Sequence, residues 1–177
     1  IDLRKLCKIN NIKTRILFGR SGLLHVTEHP RIKNVLSAIV GAAALEPTIN
    51  SIKNGKNVLL ANKESLIMSG SLMVKLARKS GSLIIPVDSE HNAILQIMST
   101  YGLEYNNKSL IKDKINHVTL TASGGPFLNF TKKQLLKVTP NEAVKHPKWK
   151  MGKKISIDSA TMMNKGLEVI EASILFN

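Results

Sequence analysis

The sequence predicts an α/β chain, with a parallel sheet crossed by helices in its first half and an α+β arrangement in its second. Up to about residue 87, short apolar runs alternate with helical patterns. Strands separated by helices at this spacing pair in parallel through right-handed crossovers. After residue 90 the alternation stops, and polar, loop-rich stretches lie between the remaining apolar runs. The boundary between the two parts is expected near Pro86. With 177 residues, 43% of them hydrophobic, the chain can bury one sizeable core or two small ones.

Residues 14–18, 35–40, 57–60 and 82–87 read as strands, each bounded by Gly, Asn or Pro. Residues 21–29, 46–54 and 63–79 read as helices. Asn62 is a suitable N-cap for the last of these, with Glu64 in its first turn. Beyond the boundary, a helix is expected over 90–100, a loop with a short helix over 101–116, and a strand over 117–122. Residues 127–154 hold short helices at best, and Ile155–Ile157 alternates like a short strand. A long helix is expected over 160–176, with Met163, Leu167, Ile170 and Ile174 at helical spacing. No internal repeat is visible.

The formal net charge is +14. Such a balance suits an anionic partner, either nucleic acid or a phosphorylated small molecule. It also suits a solvated lysine-rich surface of the kind an A/T-rich genome encodes. The basic residues are scattered, and aromatics make up 4% of the chain, too few for a base-stacking platform. The single cysteine, Cys7, cannot form an internal disulfide, which fits a reducing compartment. No apolar run approaches the ~20 residues of a membrane span. The opening Ile-Asp-Leu-Arg lacks Met and does not read as a signal peptide, so a piece of a longer protein is expected.

Four segments can carry chemistry. In Pro86-Val87-Asp88-Ser89-Glu90-His91, two carboxylates stand two residues apart at the carboxyl end of an expected parallel strand. Such side chains point the same way on extended backbone, at the end of the sheet where α/β proteins bind ligands. Convergent carboxylates repel unless a cation lies between them, and hard divalent ions favour oxygen ligands. The plain alternative is a polar turn with Glu90 favouring a helix N-terminus. In Asp158-Ser159-Ala160-Thr161-Met162-Met163-Asn164-Lys165-Gly166-Leu167-Glu168, Asn164, Lys165 and Glu168 fall within just over one helical turn. With Ser159 near the helix start they would suit a phosphate, and Glu168 could supply a third carboxylate. The alternative is an amphipathic helix with an exposed Lys165–Glu168 pair.

The paired glycines of Ser123-Gly124-Gly125-Pro126 let backbone approach an anion closely, or simply make a tight turn. They lack the spacing of the dinucleotide-binding fingerprint. His146-Pro147-Lys148-Trp149-Lys150-Met151-Gly152 places the only Trp in a polar stretch, as a lid over a site or as a pin to the core.

Taken together, these segments and Ala61-Asn62-Lys63-Glu64-Ser65-Leu66 resemble, in order and spacing, the 1-deoxy-D-xylulose 5-phosphate reductoisomerase family, over nearly the whole chain. The resemblance implies that residues 1–86 are the remainder of a Rossmann-like NADPH-binding domain and 87–177 the catalytic domain. It implies conversion of 1-deoxy-D-xylulose 5-phosphate to 2-C-methyl-D-erythritol 4-phosphate in non-mevalonate isoprenoid synthesis. NADPH and a divalent cation, Mg²⁺ or Mn²⁺, are the implied cofactors. Asp88, Glu90 and Glu168 are implied as metal ligands, and Lys63 and His146 join them as catalytic residues. Ser123, Ser159, Asn164 and Lys165 are implied to hold the substrate phosphate. Ser89, Glu90, His146, Trp149 and Glu168 are implied to contact the substrate. Ala61, Asn62, Lys63, Glu64, Met151 and Gly152 are implied on the cofactor side, with residues 146–152 forming a closing flap.

The chain departs from the family pattern in Ala44, where Gly is usual, and in lacking the family's N-terminal Gly-rich loop and C-terminal helical region. By itself it is therefore expected to be inactive. The resemblance further implies a homodimer when complete, in the bacterial cytoplasm or, for a parasite source, a plastid-type organelle, with no nucleic-acid or membrane partner. The reading from another class is a non-catalytic basic domain that binds nucleic acid, distinguishable by a steep salt dependence of duplex binding.

Overall fold

The computed structural model describes residues 2–103, 114–146 and 151–176. Helices α1 (Leu3–Ile9) and α2 (Gly19–Glu28) lead into β1 (Asn34–Ser37). A 3-10 turn, Gly41–Ala44, passes into α3 (Leu45–Lys53), then β2 (Asn57–Leu60), α4 (Lys63–Ser80) and β3 (Ile84–Pro86). The three strands form one parallel sheet in the order β1-β2-β3. Val58 sits in register with Val35 on one side and Ile84 on the other. The expected α/β class and parallel crossovers are therefore what the chain adopts.

The ends of α4 follow from its sequence. The Asn62 side-chain oxygen accepts from the Ser65 amide at 2.8 Å and so caps the first turn. Gly81 closes the helix at φ 73°, a conformation glycine adopts without steric cost. Ile52, Val58, Leu60, Leu66, Met73 and Ile84 form the core between the sheet and its crossover helices. Burying a side chain of this size contributes about 1.5–3 kcal/mol.

After β3 the chain turns at once into α5 (Ser89–Thr100). Two single-turn helices follow, α6 (Lys132–Leu135) and α7 (Pro140–Ala143), each started by a capping box, Thr131 with Gln134 and Thr139 with Glu142. Next come α8 (Lys153–Ala160) and α9 (Met163–Phe176). Ile94 and Met98 from α5 and Leu175 and Phe176 from α9 join the same apolar core as the sheet. Helix α9 lies directly on α4, because Gly70 leaves room for Ile174. A Cβ at Gly70 would stand 2.8 Å from that side chain.

Several expectations fail for identifiable reasons. Residues 14–18 and 117–122 are irregular rather than strands. Neither segment meets a ladder partner among the described residues, and β structure depends on such pairing. Ile155–Ile157 lies inside α8. Three alternating residues do not define a period, while Lys154 and Asp158 form an i,i+4 pair at 2.6 Å that suits a helix. The long helix expected over 160–176 is broken at Met162, which sits at φ 61°, so that α9 starts at Met163. The expected apolar face is inward only in part, with Ile174 packed against the core. Met163 and Ile170 are about half exposed, and Glu168, Glu171, Leu175 and Phe176 face inward. No described helix is long and apolar enough to cross a membrane.

Candidate metal and substrate site

Three segments converge where the carboxyl ends of β2 and β3 meet α9. Lys63 opens α4 just after β2, and Asp88 precedes α5 just after β3. Glu90 comes from the first turn of α5, which begins at Ser89, one residue before the helix start expected from the sequence, so that it projects from a helix and not from an extended Asp88–Glu90 segment. Glu168 comes from α9 and is buried to 1% exposure. One oxygen from each of Asp88, Glu90 and Glu168 lies within 4.8 Å of the others. The helix packing at Gly70 holds α9 close enough for this.

Two lysines thread the cluster. The Lys63 Nζ lies 2.7 Å from Asp88 and 3.4 Å from Glu168, and donates to the Asn164 side-chain oxygen at 2.8 Å. Burial works against its charge, but the Asp88 contact and the fields of Glu168 and Glu171 outweigh that and hold its pKa above the usual lysine value. The Lys165 Nζ pairs with Glu90 at 3.0 Å and with Glu168. Burial again opposes charge there, and the two carboxylates again prevail, so the Lys165 pKa is raised. Burial likewise pushes Glu90 upward, but hydrogen bonds from Ser89 and Lys165 bring its pKa below the ordinary glutamate value. The Lys165–Glu168 pair is thus part of a buried network and not an exposed surface pair.

The donor set fits a hard divalent cation. Asp88, Glu90, Glu168 and the neighbouring Glu171 bring four carboxyl groups against the ammonium groups of Lys63 and Lys165. All three ligand candidates are oxygen donors, which suits Mg²⁺ and Mn²⁺ alike.

A second group lies beside the first. Ser123 Oγ is 3.1 Å from His146 Nε2 and accepts from the Gly125 amide at 3.2 Å. Gly125, at φ 70°, packs so tightly on α8 that a Cβ there would lie 2.7 Å from the Ser159 carbonyl oxygen. The glycine pair therefore seats the Ser123 turn against Ser159. Ser159 lies at the end of α8, not near a helix start as expected. Asn164 and Lys165 instead turn their polar atoms to the carboxylates, with Asn164 Nδ2 donating to Glu168 at 2.5 Å. The structure thus divides the four expected phosphate residues between two neighbouring groups.

On the expected cofactor side, Asn62 is buried and donates to the carbonyls of Ile39 and Gly41 at 2.8 and 3.2 Å. Glu64 pairs with Lys154 at 2.9 Å. This pairing brings the α4 start, with Ala61 and Lys63, toward the α8 start, where Gly152 is the N-cap. Met151 is partly buried and Ser89 donates to Glu90 at 2.6 Å. Trp149, and with it most of the expected flap, lies outside the described residues.

His91 and Glu171, which the sequence reading did not single out, are both fully buried against the site. His91 Nε2 lies 2.9 Å from the Glu168 main-chain carbonyl, and Nδ1 lies 3.4 Å from Glu171. Burial and the nearby Asp88 charge raise the Glu171 pKa to about 7. The available signal was the i,i+3 spacing of Glu168 and Glu171, which places two carboxylates on one helix face.

Comparison with known proteins identifies the family. Residues 84–176 match the 1-deoxy-D-xylulose 5-phosphate reductoisomerase C-terminal domain, and residues 1–70 match the 1-deoxy-D-xylulose 5-phosphate reductoisomerase family. The chain is 52% identical over 177 residues to a 1-deoxy-D-xylulose 5-phosphate reductoisomerase of Acinetobacter baumannii (strain AYE), covering 99% of this chain and 44% of that relative. It is similar to a crystal structure of DOX-P reductoisomerase in complex with NADPH, fosmidomycin and magnesium. That similarity has a TM-score of 0.88 and 47% identity over 98% of this chain and 43% of that one. The corresponding values for the Zymomonas mobilis enzyme in complex with NADPH are 0.75 and 44%, over 89% of this chain and 38% of that one. The chain thus spans less than half the length of the relatives it matches. The two family matches cover residues 1–70 and 84–176, the second starting at the first residue of β3, and on their combined span the chain belongs to the 1-deoxy-D-xylulose 5-phosphate reductoisomerase family.

Proposed function

We propose that the protein to which this chain contributes converts 1-deoxy-D-xylulose 5-phosphate to 2-C-methyl-D-erythritol 4-phosphate in non-mevalonate isoprenoid synthesis. The observation that carries this reading is the convergence of Asp88, Glu90 and Glu168 in a chain of this family. A bound divalent cation and NADPH supply, respectively, Lewis-acid polarisation of the substrate carbonyl and a hydride.

The chain's own residues do the holding and positioning. Asp88, Glu90 and Glu168 are the cation ligands in this reading. Lys63, already directed into the cluster, offers its ammonium to a substrate oxygen beside the reacting carbons. Once the carboxylates are neutralised, Lys165 and Asn164 are free to turn toward the substrate phosphate, with Ser123 and Ser159 completing that subsite. His146, bonded to Ser123, orients the substrate from the other side, and Ser89 lines the same cleft. Trp149 and Met151 belong to the covering flap, which excludes water. Ala61, Asn62, Lys63, Glu64, Met151 and Gly152 border the nicotinamide. In this reading residues 1–86 are the cofactor-binding part and 87–177 the metal- and substrate-binding part, of a cytoplasmic bacterial homodimer.

The test is NADPH consumption by the full-length protein with 1-deoxy-D-xylulose 5-phosphate and Mn²⁺. The expected result is oxidation that requires all three components and yields the methylerythritol phosphate. NADPH consumption without that product, or none with every component present, would overturn the reading.

A further inference from the structure

We propose that His91 and Glu171 are positioning residues that set the spacing between Glu90 and Glu168 for the divalent cation, an inference that rests on the cation reading above. Two of the three ligands come from different helices, Glu90 from α5 and Glu168 from α9. Carboxylates on separate helices keep a binding distance only if the helices keep their relative height. His91 follows Glu90 directly, and its Nε2 meets the main-chain carbonyl of Glu168 at 2.9 Å. This bond joins the backbone of one ligand residue to the neighbour of another.

Its chemistry is constrained. A carbonyl only accepts, so Nε2 carries the hydrogen. The other ring nitrogen, Nδ1, faces Glu171 at 3.4 Å, and His91 and Glu171 are 0% and 1% exposed. Neither Nδ1 nor Glu171 Oε2 has another hydrogen-bond partner among the described residues. The ring is also stacked on Phe176, with centroids 6.4 Å apart and planes 18° apart, which fixes its tilt. Glu171 is one turn on from Glu168 on the same face of α9. The pair therefore clamps α5 and α9 at the level of the ligands.

Burying two polar groups here is costlier than packing apolar groups of the same shape. The competing chemistry is direct ligation, since Asp88, His91 and Glu171 also bring one donor atom each within 4.8 Å. Nε2 is already committed to the Glu168 carbonyl, and Nδ1 faces a carboxyl group that can share a hydrogen with it. Those two contacts favour positioning.

The experiment is calorimetric titration of Mn²⁺ into the full-length protein and four variants. Glu168→Gln should weaken binding more than tenfold. Glu171→Gln should stay within threefold of the parent, because its amide can still donate to Nδ1. Glu171→Leu should weaken binding threefold to tenfold. The double variant His91→Phe with Glu171→Leu should do the same, and it leaves no orphaned polar group, so it tests the inference even if the single leucine change fails to fold. Mn²⁺ affinity at the parent level in the double variant would overturn the inference. So would a loss in Glu171→Gln as large as in Glu168→Gln, which would make Glu171 a ligand. An unchanged affinity in Glu168→Gln would instead sink the cation reading itself, and this inference with it.

Discussion

Helices α4 and α9 pack against each other, yet they bury opposite kinds of residue. Helix α4 turns Leu66, Gly70, Met73 and Ala77 to the core, an apolar stripe at helical spacing. Helix α9 buries Glu168 and Glu171 first and only then Leu175 and Phe176. One helix therefore stabilises the sheet, while the other combines an apolar anchor at its end with a charged face at its start. Buried carboxylates cost free energy unless paired, and here Lys63, Lys165 and Asn164 meet the Glu168 carboxylate, with Lys165 also pairing with Glu90. The comparison separates residues kept for packing from residues kept for chemistry, although they lie a few ångströms apart. It also resolves the contrast between a chain of net charge +14 and a site built on carboxylates. The surface charge is general, and the site charge is local.

Substitutions on each side of this divide should behave differently. Met73→Ala removes a fully buried core side chain and should cost about 2–5 kcal/mol of stability. Its Mn²⁺ affinity, measured on the folded fraction, should match the parent. Chemical denaturation and calorimetry on the same samples check both halves, and a joint loss would blur the division. Lys165→Ala should do the reverse. It removes a charge-assisted contact of roughly 1.5–3 kcal/mol, seen as a raised Michaelis constant for the phosphorylated substrate with little weakening of Mn²⁺ binding. An unchanged Michaelis constant would leave Lys165 as a partner of Glu90 and Glu168 alone. The smallest effect is expected at the start of α4. Asn62→Ala removes a cap worth about 1 kcal/mol, with a further loss from the stranded Ile39 and Gly41 carbonyls. A melting temperature equal to the parent's would show that the cap is dispensable.

The same divide explains what was legible in the sequence. The sheet half follows from local pattern. Asn57–Leu60 and the helix after Asn62 have their apolar spacing, cap and terminating glycine within a few residues of one another. The second half depends on contacts made far along the chain. Residues 117–122 look like a strand but meet no ladder, and Ile155–Ile157 is too short to declare its period. The spacing of Met163, Leu167, Ile170 and Ile174 is an incomplete guide, since Ile174 packs against the core while Met163 and Ile170 are about half exposed. In α9, partners from α4 and α5 make a charged face the buried one. The candidate ligands Asp88, Glu90 and Glu168 could be named from motif resemblance, and their convergence is visible only in three dimensions. His91 and Glu171 were missed because no short motif distinguishes a helper from a ligand.

The most direct test of the central claim is a crystal structure of the full-length protein grown with Mn²⁺, using anomalous scattering to locate the ion. The expected result is one peak with an oxygen from each of Asp88, Glu90 and Glu168 within about 2–2.5 Å, the range for hard cations on carboxylates, and with the Lys63 and Lys165 ammonium groups displaced from those oxygens. A peak elsewhere, or no peak while Lys63 and Lys165 keep their present pairings at saturating Mn²⁺, would contradict the account.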